Sequence, residues 1–276
     1  MAKIIPRQAV QFIRVPEMNN LELLHAAYTT HQFSPHFHEG HVIGVIEKGQ
    51  LGFDYRGEKL VASQGQINLA DPGEVHNGFA VSETGWQYRM FYLTPGQLAA
   101  IVNDINDKPT PSPFFKRGVI QDPGLARQIQ LLHQDFENPH TPLLEKESRF
   151  LSLISSVVRR HAPKGIHWPS PGKEQTAVER VKEYINDRFD TPICLDNLSA
   201  IAHMSKYYLL RIFSAHTGLT PHAYLSFVRA SRAKGMMDGQ IPLADIALAT
   251  GFFDQSHLNR VFKKVFGITP GQYARA

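Results

Sequence analysis

Two periodicities divide this chain. From Leu21 to Leu93 apolar residues alternate with polar ones or run in short β-branched and aromatic blocks, VIGVIEKG, GFDYRG, QINLA and WQYRMFYL. Gly40, Gly49, Gly57, Gly65, Pro72-Gly73, Gly78 and Gly85 separate them. A period of two broken by frequent turn residues predicts short strands in a small barrel or sandwich rather than a βαβ sheet. On WQYRMFYL, Trp86, Tyr88, Met90 and Tyr92 share one face and Gln87, Arg89 and Phe91 the other. Parity alone leaves open which face looks inward.

Beyond Leu93 the period changes. Leu98, Ile101, Val102 and Ile105 form one helical face before KPTPSPFF interrupts it. Leu125, Ile129, Leu132 and Phe136, then Leu144, Phe150, Leu151, Ile154 and Val158, mark two more amphipathic helices joined by NPHTP. Such a hairpin either packs on the β structure or forms a dimer interface. APKGIHWPSPGK, residues 162–173, carries three prolines and two glycines and reads as a stiff linker. It divides the chain into a β-rich domain over 1–161 and a helical domain over 174–276. The expected class is α+β and multidomain.

The helical half contains a repeat. Leu209/Leu258, Arg211/Arg260, Phe213/Phe262, Gly218/Gly267, Thr220/Thr269, Pro221/Pro270 and Tyr224/Tyr273 recur at a constant offset of 49 residues (260 − 211). Each copy has two short amphipathic stretches around a tight turn: Leu198, Ile201 and Ala202 before Leu209, Ile212 and Phe213, and Ile246 and Ala249 before Leu258, Val261 and Phe262. Ser205 and Asp254 can cap the second helix of each copy, Gly218 and Gly267 follow its last turn, and Thr-Pro then starts another helix. This is the anatomy of two helix-turn-helix units. A lead helix over Glu174–Phe189 precedes them and a helix over Pro221–Met237 joins them.

MSKYYLLRIFSAHTGLTPHAYLSFVRASRA and IALATGFFDQSHLNRVFKKVFGITPGQYAR resemble the DNA-binding domain of AraC/XylS-family transcription regulators. The resemblance implies that both second helices enter the major groove of double-stranded DNA. By position it assigns contacts to Lys206, Tyr207, Tyr208, Leu210 and Arg211 in the first unit, and to Gln255, Ser256, His257, Asn259 and Arg260 in the second. Leu210 departs from the pattern, because it can offer a base only apolar contact, for example at a thymine methyl.

PHFHEGHVIGVIEKGQLGFDYRGEKL and GQINLADPGEVHNG resemble the cupin-like, effector-binding β-barrel of the same family. Cupin enzymes hold a metal with two histidines, a glutamate and a later histidine. His36, His38 and His76 could supply three nitrogens, but Val42 and Ile43 stand where the glutamate belongs. The chain is therefore expected to lack a catalytic metal, a catalytic residue and a cofactor. A small-molecule effector is expected instead at His36, His38, Glu74, His76, Trp86, Tyr88 and Arg89, the arginine serving a carboxylate ligand if it turns inward.

Charge sharpens the division. Residues 173–276 hold 13 Lys and Arg against 9 Asp and Glu, so residues 1–172 hold 16 of each (29 − 13 and 25 − 9), and the whole net charge of +4 lies on the helical half. That half is the one whose motifs demand phosphate contacts. The single Cys194 forms no internal disulfide, and no run of 18 apolar residues occurs, which suits the cytoplasm and excludes a membrane partner. The expected protein is an effector-controlled transcription activator; the resemblance implies a homodimer that engages RNA polymerase. Alternatives are a metal-dependent cupin enzyme fused to a DNA-binding domain, or a ligand-independent DNA-binding protein.

Overall fold

The structure is a computed structural model and describes residues 9–106, 112–163, 174–237 and 241–274. Most of the linker expected over 162–173, residues 164–173, lies outside the described residues. Spatially the chain forms two compact units. One comprises the described residues through Glu137 together with those from Phe150 to residue 163; the other comprises Asn138–Arg149 and the described residues from Glu174 onward.

Among the described residues nine strands run through the first unit: β1 (Ala9–Val15), β2 (Leu21–Tyr28), β3 (Gln32–His36), β4 (His41–Tyr55), β5 (Glu58–Ser63), β6 (Ile67–Ala70), β7 (His76–Ala80), β8 (Trp86–Leu93) and β9 (Val119–Ile120). The expected barrel is not closed. One sheet has the order β1-β2-β8-β4-β6-β9, and a second is made of β5, β4, β7 and β3. The long strand β4 belongs to both. Its first half pairs with β6 and β8 and its second half with β5 and β7. A register shift between Ile46 and Lys48, and Gly49 at φ 68°, lie at the transition. A bulge followed by a left-handed residue bends a strand out of one sheet and into another.

Helices α1 (Pro95–Asn106) and α2 (Pro123–Glu137), and α3 (Leu143–His161) from Phe150 onward, cover the outer face of the first sheet. Ile43, Val45, Phe91 and Leu93 from the strands meet Leu98, Leu125, Ile129, Phe136, Phe150 and Ile154 in one core. Thus the helical hairpin packs its apolar face on the sheet. The inner face carries a second apolar cluster, including Val42, Ile46, Leu51, Phe53, Trp86, Tyr88 and Met90.

A buried carboxylate fastens the segment after α1 to the strands. Asp71 accepts hydrogen bonds from Arg56 Nη2 (2.9 Å) and the Phe115 N–H (2.9 Å), and His41 Nδ1 lies 3.1 Å from its other oxygen. Its own N–H donates to Tyr55 Oη.

In the second unit, α4 (Gln175–Asp187) leads into α5 (Leu195–Ala202) and α6 (Lys206–Thr217), α7 (Pro221–Gly235) bridges, and α8 (Leu243–Ala249), α9 (Gln255–Phe266) and α10 (Pro270–Tyr273) follow. Ser205 and Asp254 cap α6 and α9 by accepting from the N–H groups of Tyr208 and His257, and Gly218 and Gly267 close those helices in the left-handed conformation. The turn between α8 and α9 depends on Gly251. At φ 76°, with a Cβ there only 2.8 Å from the Phe189 carbonyl oxygen, no larger residue fits without displacement. Beside it Arg229 of α7 is buried and donates to the carbonyls of Phe189 (2.6 Å) and Thr191 (2.9 Å), tying the bridge helix to the turn before α5. Asp254→Ala removes the cap of α9 and is expected to lower stability by about 1 kcal/mol. An unchanged thermal midpoint would contradict this.

Candidate effector site and nucleic-acid interface

Between the two sheets lies a cavity of about 110 Å³. The register of β3 against β7 sets His36 opposite His76, and His38 follows two residues beyond His36. All three rings line the cavity, with centroids 4.6 to 5.0 Å apart. Leu24, Phe33, Leu51, Phe53, Tyr88, Met90 and Tyr92 supply much of the apolar wall, and Val42 lines the cavity from β4. Each side chain gets there by strand alternation: Tyr88, Met90 and Tyr92 point inward, so Gln87, Arg89 and Phe91 point at the helices.

Three sequence assignments to this site are corrected. Arg89 lies on the helix side, buried, donating to Glu47 Oε1 (2.7 Å) and to Glu137. His133 and Gln130 of α2 and His25 of β2 join that cluster. Strand alternation sends the guanidinium to this side, and Glu47 supplies the paired anion that a buried cation needs. Glu74 turns its carboxylate to Arg56 (2.9 Å) and contributes to the site through its backbone carbonyl. Trp86 is fully buried behind Tyr88, stacked on it at 6.2 Å, and is not part of the lining.

Asn68 is a member of the site that sequence reasoning missed. It lines the cavity from β6, 8% exposed, and its side-chain carbonyl oxygen has no hydrogen-bond partner. The available signal was an asparagine inside the otherwise apolar strand INLA, because buried strands rarely tolerate an unpaired amide.

Burial, and then the neighbouring His76 and His36, push the His38 imidazole down to about 4, and burial is also the main cause that lowers His76. Both rings are neutral at pH 7. Tyr88 and Tyr92 are raised, chiefly by burial, and stay protonated. The cavity therefore offers neutral nitrogens and hydroxyls within an apolar wall.

In the second unit the recognition positions separate by exposure. On α9, Gln255, Ser256 and Arg260 are exposed and Asn259 is half-buried. On α6, Lys206 pairs with Asp196 (2.7 Å), the Tyr208 hydroxyl donates to Glu174 (2.8 Å), and the Arg211 guanidinium sits 5.6 Å over the Tyr207 ring. Three assigned contacts lie inward instead: Tyr207 (9% exposed), Leu210 (5%) and His257 (6%). The reason differs between the helices. The α6 face that must be covered is broad, taking in Tyr207, Leu209, Leu210, Ile212 and Phe213, whereas α9 buries His257, Leu258 and Phe262 only. His257 packs edge-on to Phe252 at 5.2 Å, and burial first, then the nearby Arg260 and Arg229, lower it to about 4.

Residues 19–154 match the AraC-like ligand binding domain and residues 198–276 match a helix-turn-helix domain. The uncharacterized HTH-type transcriptional regulator YbfI of Bacillus subtilis is 30% identical over 229 residues, which are 82% of this chain and 82% of that protein. The arabinose operon regulatory protein of Salmonella typhimurium is 23% identical over 245 residues, 85% of this chain and 83% of its own. Among solved structures, a probable AraC family transcriptional regulator from Rhodopseudomonas palustris is 26% identical, covering 36% of this chain and 95% of that one with a TM-score of 0.35. With both halves matched and a relative aligned along most of its length, this chain belongs to the AraC-like family of helix-turn-helix transcriptional regulators.

Proposed function

We propose that the protein is a sequence-specific DNA-binding transcription activator whose affinity for its operator is controlled by a small molecule held in the cavity between the sheets. The observation that carries this reading is the pair of capped second helices, α6 and α9, with Gln255, Ser256 and Arg260 exposed on α9. Amide and guanidinium side chains read adenine and guanine edges, and the net positive charge of this half favours phosphate approach. The first unit discriminates less, because Leu210 is buried and Lys206 and Tyr208 are engaged within the chain. The reading includes a homodimer in the cytoplasm that contacts RNA polymerase and catalyses no reaction. Among the described residues no helix is long and apolar enough to cross a membrane.

The test is selection of an operator from random duplexes, followed by footprinting. Arg260→Ala is expected to weaken operator binding by ~1–3 kcal/mol, about 5- to 150-fold, with a smaller loss on random DNA. Equal loss on both would make Arg260 a phosphate contact, and failure to enrich any sequence would defeat the reading.

A further inference from the structure

We propose that His36, His38 and His76 bind one divalent first-row transition metal ion whose open coordination positions face the cavity, where a small carboxylate effector completes its shell. This rests on the effector role proposed for the cavity and names the chemistry of its ligand.

Geometry comes first. One nitrogen from each histidine lies within 4.8 Å of the others. A tetrahedral ion at ~2.0–2.1 Å from each nitrogen needs them about 3.4 Å apart, which modest rotation of the three rings supplies. Two of the rings already make the backbone hydrogen bond that ligating histidines make. His36 Nδ1 donates to the Ser34 carbonyl (2.8 Å) and His76 Nδ1 to the Glu74 carbonyl (2.9 Å). Each bond keeps the proton on Nδ1 and leaves the Nε2 lone pair free to coordinate, the same outer-shell support that holds ligating histidines.

The missing carboxylate decides the rest. None of the described residues lining the cavity is acidic, and Val42 is among them. Three neutral imidazoles leave the ion's double positive charge uncompensated in a wall of Leu24, Leu51, Phe53 and Met90, where an ion without a counter-charge is costly. An incoming carboxylate supplies one negative charge against it, the charge a glutamate at Val42 would have brought, so the ligand provides what the protein lacks. The unpartnered oxygen of Asn68 then accepts from a hydroxyl or amine on the same molecule. Size agrees: the cavity of about 110 Å³ is well under the ~300 Å³ at which drug-sized pockets begin, so the ligand has a handful of heavy atoms.

The full chain, stripped with chelator, is titrated with Co(II) while its visible absorption is recorded, then with acetate and lactate, with operator binding measured on the same preparation. One equivalent per chain is expected, weakened ~10- to 100-fold or more in His38→Gln and His76→Gln. The carboxylates should shift the cobalt bands. Because a histidine substitution can disturb folding, Val42→Glu serves as a second variant. It is expected to tighten cobalt binding and abolish the response to carboxylates. Sub-stoichiometric binding, or binding unaffected by either histidine change, overturns the metal site; bands indifferent to carboxylate in the unaltered protein overturn the ligand class. Intact operator binding alongside either result leaves the regulator reading standing, whereas loss of operator selectivity removes the ground for both.

Discussion

Asp71→Ala is expected to destabilise the N-terminal unit by ~3–5 kcal/mol, the scale of breaking a buried ion pair by deleting one partner. The carboxylate is wholly buried and holds three groups at once: Arg56, His41 and the Phe115 N–H. Deleting it leaves the His41 ring, 1% exposed, and the Phe115 N–H facing a void. It also frees the segment around Ser112, whose hydroxyl lies 2.8 Å from His41 Nε2. Asp71→Asn should cost less, since an amide oxygen still accepts from the Phe115 N–H and Arg56 keeps its ion pair with Glu74 (2.9 Å). Urea unfolding followed by tryptophan fluorescence measures both. A loss under about 1 kcal/mol for the alanine variant would show that the network is slack.

The second large effect concerns acid. Burial, reinforced by the charge of Arg89, lowers His133 to about 4 from an ordinary 6.5. Below pH 6.5 the unfolded chain takes up a proton there that the native chain refuses, so stability falls as the pH drops from about 6.5 to about 4. The shift corresponds to roughly 3 kcal/mol. Glu47 acts in a lower window. Burial alone would raise it, but hydrogen bonds from His25, Arg89 and Gln130 outweigh that and hold it at about 2. Its contribution, also roughly 3 kcal/mol, is complete above pH 4.5 and is lost as the pH falls through 2. The expected curve has two descending limbs. His133→Gln should flatten the upper limb and Glu47→Gln the lower, read from urea midpoints of the full chain across pH 2 to 7. Parallel curves for all three proteins would remove this cluster as the source.

What the sequence made legible depended on how local the determinants were. Both helix-turn-helix units were readable because caps, turn glycines and Thr-Pro starts act within a few residues of one another, and Ser205, Asp254, Gly218 and Gly267 all stand where those signals place them. Which β8 face looked inward was not readable. The first sheet is covered on both sides, so Phe91 and Met90 are both buried and the period of two carries no contrast. Closure of the barrel was equally hidden, since strand pairing is non-local and the bend in β4 rests on a bulge. Strand β1 escaped notice because Val10 and Phe12 are 56% and 54% exposed, so no buried stripe marks it. Neither could spacing show that Tyr207, Leu210 and His257 turn inward, since that follows from how wide a face each helix must cover.

The junction of Arg229 with Phe189, Thr191 and Gly251 bears on what kind of target this protein can use. Because α7 is fastened to the turn before the first reading unit and crowds the turn of the second, the two readers form a single ruler rather than two beads on a string. A ruler has a phase as well as a length. Two target segments separated by half a helical turn more than the ruler allows, about 5 base pairs, present their grooves on opposite sides of the duplex. On the reading proposed above, two such segments, each perfect in sequence, are engaged only one at a time.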